Sequence, residues 1–143
     1  MPRWGKLKIK KISHIGIAVS DLDGILKLFK VKLGLEHTHR ETLPEHGVEL
    51  AVVPIGESAL EFIRPLEGNV SIQKFLEKRG PGMHHISLEV DNAAEWIEHI
   101  ESDGDEMIDR KPRIGAAGCP IAFVHPKTLG GVLIELEEGD KSD

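Results

Sequence analysis

Two histidines and two glutamates recur at matching places in this 143-residue chain. His14-Ile15-Gly16-Ile17-Ala18-Val19-Ser20-Asp21 returns as His85-Ile86-Ser87-Leu88-Glu89-Val90-Asp91-Asn92. Each half later closes on a strand-like run with a glutamate, Leu60-Glu61-Phe62-Ile63 and then Ile134-Glu135-Leu136-Glu137. Two imidazoles and two carboxylates suit a divalent, borderline-hard ion; Zn, Mn, Co, Ni, Fe(II) and Mg all fit, and residue type alone does not choose among them. In an octahedral site these four donors leave two positions for a bidentate substrate, whose developing negative charge the ion stabilises.

Such a donor set needs elements that aim it. Ser13 to Val19 alternates, with Ile15, Ile17 and Val19 on one face and His14, Gly16 and Ala18 on the other. Asp21 is placed to cap a helix in which Leu22, Ile25, Leu26, Phe29 and Leu33 recur at helical spacing, and Gly34 stops it. The second half repeats the plan. Ile86, Leu88 and Val90 share a strand face, Asp91 or Asn92 caps, Ala93, Trp96, Ile97 and Ile100 line a helix, and Gly104 stops it.

Further strands are expected over 36–40, 48–54 and 59–63 in the first half, and over 107–110, 120–125 and 131–137 in the second. Pro44-Glu45-His46-Gly47 and Gly115-Ala116-Ala117-Gly118 read as the intervening turns. Each half is therefore βαβββ, and an amphipathic stretch within 68–82 (Ile72, Phe75, Leu76) links them as a short helix. The expected fold class is α+β: two tandem βαβββ modules forming a curved mixed sheet around a metal cleft. One domain spans 1–143, with module one at about 11–66, the linker helix at about 68–82 and module two at about 83–137.

Strand parity sorts the side chains. A helix must cover one sheet face in each module, so Leu60 with Phe62 and Ile134 with Leu136 turn toward the helices. Glu61 and Glu135 then share the open face with His14 and His85. His84 has the opposite parity and is not counted as a ligand. His37, His39, His46, His99 and His125 lack a repeated partner and read as surface or supporting residues.

Composition narrows the function classes. A net charge of −6 argues against nucleic-acid binding, which normally needs a basic face. The lone Cys119 excludes an intramolecular disulfide and a thiolate zinc cage. No apolar run approaches the roughly 20 residues that span a bilayer, and residues 1–11 lack a secretory apolar core, so a cytoplasmic protein without membrane partners is expected. Lys6 to Lys10 reads either as a strand lead-in or as a solvated arm, and the tail over 138–143 is expected to fray.

The chain resembles the vicinal oxygen chelate superfamily, with its glyoxalase-like fold, from about Lys11 to Glu137, and within it the methylmalonyl-CoA epimerase family. The stretches that carry the likeness are His14-Ile15-Gly16-Ile17-Ala18-Val19, Leu43-Pro44-Glu45-His46-Gly47-Val48, Gly82 through Asp91, and His125-Pro126-Lys127 through Leu136. The Leu-Pro-Glu-His-Gly turn and the His-Pro-Lys ending discriminate better than the ligand set, which glyoxalase I shares in part. Some family members carry Gln where this chain has Glu61, so this chain adds a negative charge among the ligands.

The resemblance implies a divalent metal ion at His14, Glu61, His85 and Glu135, with no residues assigned to an organic cofactor. It implies an acyl-CoA substrate, methylmalonyl-CoA, epimerised at C2 through an enolate, with Glu45 and Glu135 as the two acid/base carboxylates. It also implies a homodimer. The alternatives are a glyoxalase I-like lactoylglutathione lyase and a non-catalytic ligand-binding module of the same fold. Retention of all four ligands argues against the second. Lys127 reads as a surface lysine more readily than as a contact to a CoA phosphate.

Overall fold

A computed structural model describes residues 3–139 of the chain. It has two compact units, His14–His84 and a second made of the residues up to Ser13 with those from His85 onward. The division falls inside two strands: β1 (Ile9–Ala18) is cut between Ser13 and His14, and β5 (Gly82–Val90) between His84 and His85.

In the His14–His84 unit, β1 leads to α1 (Leu22–Leu33), β2 (His39–Leu43), β3 (Val48–Ile55), β4 (Ser58–Pro65) and α2 (Val70–Arg79). The strands β2, β3 and β4 form an antiparallel meander, and β4 then pairs parallel with β1. Asp21 caps α1 by accepting from the Gly24 N–H, and Gly34 ends it in the left-handed conformation at φ 68°. A single left-handed residue is cheap only for glycine, which has no Cβ to clash. Leu22 and Leu26 of α1 bury against Ala51, Val53 and Phe62, with Ile17, Ile25, Phe29 and Leu60 around them. Phe29 meets Phe62 edge to face at 4.9 Å, the arrangement ring quadrupoles favour. Leu33, expected in this stripe, is instead 64% exposed.

The other unit carries β5 (Gly82–Val90) from His85 onward, α3 (Ala93–Ser102), β6 (Arg113–Ile114), β7 (Pro120–Val124) and β8 (Ile134–Glu138). Here β5 pairs parallel with β8, while β8 with β7 and β7 with β6 are antiparallel. Asn92 caps α3 through the Glu95 N–H, and Ile97 packs into Val90, Met107, Ala122, Val124 and Leu136. The strand order through β1 reads β2-β3-β4-β1-β5-β8-β7-β6. This mixed, doubled βαβββ plan agrees with the expected fold class.

Two expectations need correction: the strand expected over 36–40 runs instead over His39–Leu43, and the one over 107–110 is absent. The stretch 107–110 is not a strand: only Met107 bridges to Val124, and the pairing resumes as the two-residue β6. Asp109 is the physical reason. Its Oδ2 accepts from the Phe123 N–H at 2.8 Å and occupies the donor a ladder would use. The helix of the second half ends at Asp103, and Gly104 just beyond it, at φ 82° with its N–H on Glu101 O, is the expected stop. Lys6 to Lys10 divides between a 3-10 turn (Arg3–Lys6) and the start of β1. Of the tail over 138–143, Glu138 lies in β8 and the Gly139 N–H donates to Val90 O at 3.1 Å; residues 140–143 lie outside the described residues. Among the described residues, no helix is long and apolar enough to cross a membrane.

The start of β1 is tied down by Asp91. Its Oδ1 accepts from the Lys8 N–H at 3.1 Å, the Asn92 N–H at 3.0 Å and the Trp96 indole at 3.2 Å. Burial pushes this carboxyl up, but these donors more than offset that and hold it below its ordinary value. A depressed carboxylate stabilises the fold above its unfolded pKa and loses that contribution as pH falls through the folded one. The stability gap between the wild type and Asp91→Asn is therefore expected at neutral pH and should close as pH drops below about 3.8 in urea titrations. Phe62→Ala should cost about 3–5 kcal/mol in the same assay, since it empties a fully buried site. Leu33→Ala should stay within about 0.5 kcal/mol.

Candidate metal centre

The registers of the two parallel ladders place the four donors. On β1 and β4, Gly16 lies opposite Glu61, so the glutamate sits one pleat beyond His14 on the same face. Gly16 presents no side chain there, and Glu61 leans across to bring its Oε2 within 3.6 Å of His14 Nε2. On β5 and β8, Ser87 lies opposite Glu135, again two residues beyond the histidine. The repeat noticed in the sequence is thus also a repeat of register.

His14 and His85 are each 7% exposed and Glu135 is 6% exposed. One donor atom from each of the three lies within 4.8 Å of the others. The chemistry of the set also fits. Burying a carboxylate beside imidazoles is costly unless a cation or hydrogen-bond donors compensate its charge, and neutral imidazole with carboxylate is a usual donor mix for divalent ions. His14, His85 and Glu135 could therefore hold such an ion, with Glu61 adjacent to His14.

Phe123, which the sequence reading did not single out, borders this group. It lies opposite Glu135 in the β7–β8 ladder and meets the His85 ring edge to face at 5.4 Å. The Arg113 guanidinium sits 5.6 Å from its ring centre, and Arg113 pairs with Asp109 at 2.9 Å. A signal was present in the sequence. Phe123 alternates out of the buried Ala122 and Val124 pair, so its large ring had to face the open side.

Glu45 lies apart in kind. It is exposed, in a 3-10 turn (Pro44–His46), and is not one of the three clustered donors. The turn is nevertheless anchored. Gly47 closes it at φ 69°, and its carbonyl accepts from Asn69 Nδ2 at 3.0 Å and the Leu66 N–H at 2.9 Å. Asn69 also caps α2, so the turn that bears Glu45 is fastened to a helix start. His84 faces Phe75 at 5.0 Å, as its opposite parity requires. Burial, and then the charge of Arg79, hold it below its ordinary pKa. Lys127 is exposed and lies 3.8 Å from Glu106. A groove of about 510 Å³ along α1, lined by Asp21, Lys27, Leu28 and Val31 among others, contains none of the donors.

Comparisons with known proteins agree with this geometry. A family model described as the Glyoxalase/Bleomycin resistance protein/Dioxygenase superfamily matches residues 13–123. The mitochondrial methylmalonyl-CoA epimerase of Mus musculus is 36% identical over 138 residues, which cover 96% of this chain and 76% of that protein. A Streptomyces coelicolor methylmalonyl-CoA epimerase solved in complex with 2-nitronate-propionyl-CoA superposes with a TM-score of 0.86 at 34% identity, covering 94% of this chain and 97% of that one. A methylmalonyl-CoA epimerase in complex with methylmalonyl-CoA and NH4+ gives the same TM-score at 33% identity, with the same coverage of both chains. The chain belongs to this superfamily, and within it to the family of the methylmalonyl-CoA epimerases.

Calorimetric titration with Co(II) tests the donor assignment. His85→Ala and Glu135→Ala should each weaken binding by at least about 100-fold, at the upper end of the losses seen even for outer-shell changes. Glu45→Ala should stay within about threefold of the wild type.

Proposed function

We propose that this protein is a metal-dependent epimerase that interconverts the R and S forms of methylmalonyl-CoA at C2. The observation that carries the reading is the buried donor group of His14, His85 and Glu135 in a chain of this family. The C2 hydrogen of the substrate lies between a thioester carbonyl and a carboxylate, and its removal gives an enolate. A divalent ion held by His14, Glu61, His85 and Glu135 would supply positive charge where the thioester oxygen turns negative. The donor set admits Co, Mn, Zn, Ni or Mg.

Epimerisation needs a proton acceptor on one side of a planar enolate and a donor on the other. Glu45 and Glu135 fill these roles in our reading, so that neither group crosses the plane. Glu135 is held on a strand, backed by Ser87 on one side and Phe123 on the other. Glu45 rides on an exposed turn pinned by Asn69, which suits a carboxylate that must meet substrate from the solvent side. A nitronate is planar and anionic, as an enolate is, so the ligand of the Streptomyces coelicolor protein is the kind of mimic this chemistry calls for. The cytoplasmic setting expected from the sequence belongs to this reading. The homodimer implied by the resemblance belongs to the same proposal, and sedimentation of the purified protein tests it.

The decisive assay follows deuterium from solvent into C2 of methylmalonyl-CoA. The wild type should exchange and epimerise it, a chelator should abolish both, and added divalent ion should restore them. Glu45→Ala should lower kcat by about 10²–10⁴-fold, the usual contribution of a positioned acid or base. Undiminished exchange in metal-free protein, or preference for a glutathione hemithioacetal over methylmalonyl-CoA, would overturn the reading.

A further inference from the structure

The repeat that builds the donor group is broken at one place beside it. In each parallel ladder the glutamate lies opposite the residue two beyond the histidine. That residue is Gly16 in one unit and Ser87 in the other. Ser87 is fully buried, and its Oγ has no hydrogen-bond partner. Glycine, alanine or valine would fill such a place without leaving a buried hydroxyl to satisfy, and buried polar groups normally find partners. Along β5 the hydroxyl stands on the face of His85, and across the ladder it stands beside Glu135. Phe123 closes the other side of Glu135 with a ring that offers no hydrogen-bond donor.

We propose that Ser87 is a positioning residue for Glu135. In the ion-loaded protein its hydroxyl would turn to donate to a carboxylate oxygen of Glu135 across the ladder, and so fix the carboxylate rotamer. The inference rests on the reading of Glu135 as ligand and acid/base given above. It explains the asymmetry with Gly16. Glu61 is only a ligand in that reading and needs room to reach His14. Glu135 has two tasks, and each of its oxygens must be held to one of them. Outer contacts of this kind orient a ligand and commonly account for 10–100-fold in metal affinity.

The test compares Ser87→Ala and Ser87→Thr with the wild type. Co(II) affinity by calorimetry and the visible absorption of the Co(II)-loaded protein are read beside kcat and KM for epimerisation. Ser87→Ala should bind Co(II) about tenfold more weakly, shift the visible band, and lower kcat about tenfold with KM within about twofold. Ser87→Thr, which keeps the hydroxyl, should recover the wild-type band and lie within about threefold in affinity. Should Ser87→Ala fail to fold, Ser87→Gly, which reproduces the residue at the equivalent Gly16, removes the hydroxyl without adding a ligand and should show the same losses. A Ser87→Ala protein that matches the wild type in affinity, band and kcat overturns the proposal while the epimerase reading stands. A wild type that binds no Co(II) and exchanges no deuterium at C2 overturns both.

Discussion

The two parallel registers are the constraint on which the site depends. A strand presents alternate residues to opposite faces, so a slip of one residue in either ladder would turn a glutamate into the core and a leucine or phenylalanine into the site. Glu61 is flanked by Leu60 and Phe62, and Glu135 by Ile134 and Leu136. These neighbours are the ones packed under the helices, with Phe62 fully buried and Leu136 at 3% exposure. Burying that apolar area therefore also holds the carboxylates on the opposite face. Packing energy and ligand geometry are one interaction seen from two sides of a sheet.

This arrangement separates rigid from adjustable chemistry. His14, Glu61, His85 and Glu135 all sit on strands whose backbones are fixed by ladders on both edges, which suits ligands that must not drift. Glu45 sits on a short turn, where the backbone is held at Gly47 and Asn69 but the side chain remains exposed. Loops on a rigid scaffold are where groups that meet substrate usually stand. The turn's anchor matters because a proton carrier on an unfastened loop would rarely be within reach of the reacting carbon.

Much of this was legible in the sequence because it is local. Alternation in Ser13–Val19 and Ile86–Val90, the cap at Asp21, a second cap at Asp91 or Asn92, and the apolar spacing of both helices each depend on a few neighbouring residues, and the structure has them with Asn92 as the second cap and Leu33 excepted. That Glu61 shares a face with His14, and Glu135 one with His85, followed from parity alone. What was not legible depends on partners far along the chain. That the strand start up to Ser13 belongs with the residues from His85 onward rests on Lys8 meeting Asp91 and on Ser13 donating to Glu137 Oε1 at 2.6 Å. The missing strand at 107–110 turns on one side chain, Asp109, competing for a backbone donor.

Duplication explains the ligands better than it explains the reaction. A doubled βαβββ unit supplies equivalent donors in pairs, and a metal ion can use such a pair because its coordination sphere is nearly symmetric. A stereocentre cannot. Its two faces must be served by different groups at the same moment, so the chemistry has to come from positions where the halves differ. Here those positions are Glu45, with the Gly115–Gly118 turn in the matching region of the other half, and Ser87, whose counterpart is Gly16. The first adds a carboxylate where the repeat has none. The second adds a buried hydroxyl next to one glutamate and leaves the other glutamate free to lean. In the proposed reading the symmetric residues hold the ion, and the asymmetric ones decide what that ion is used for.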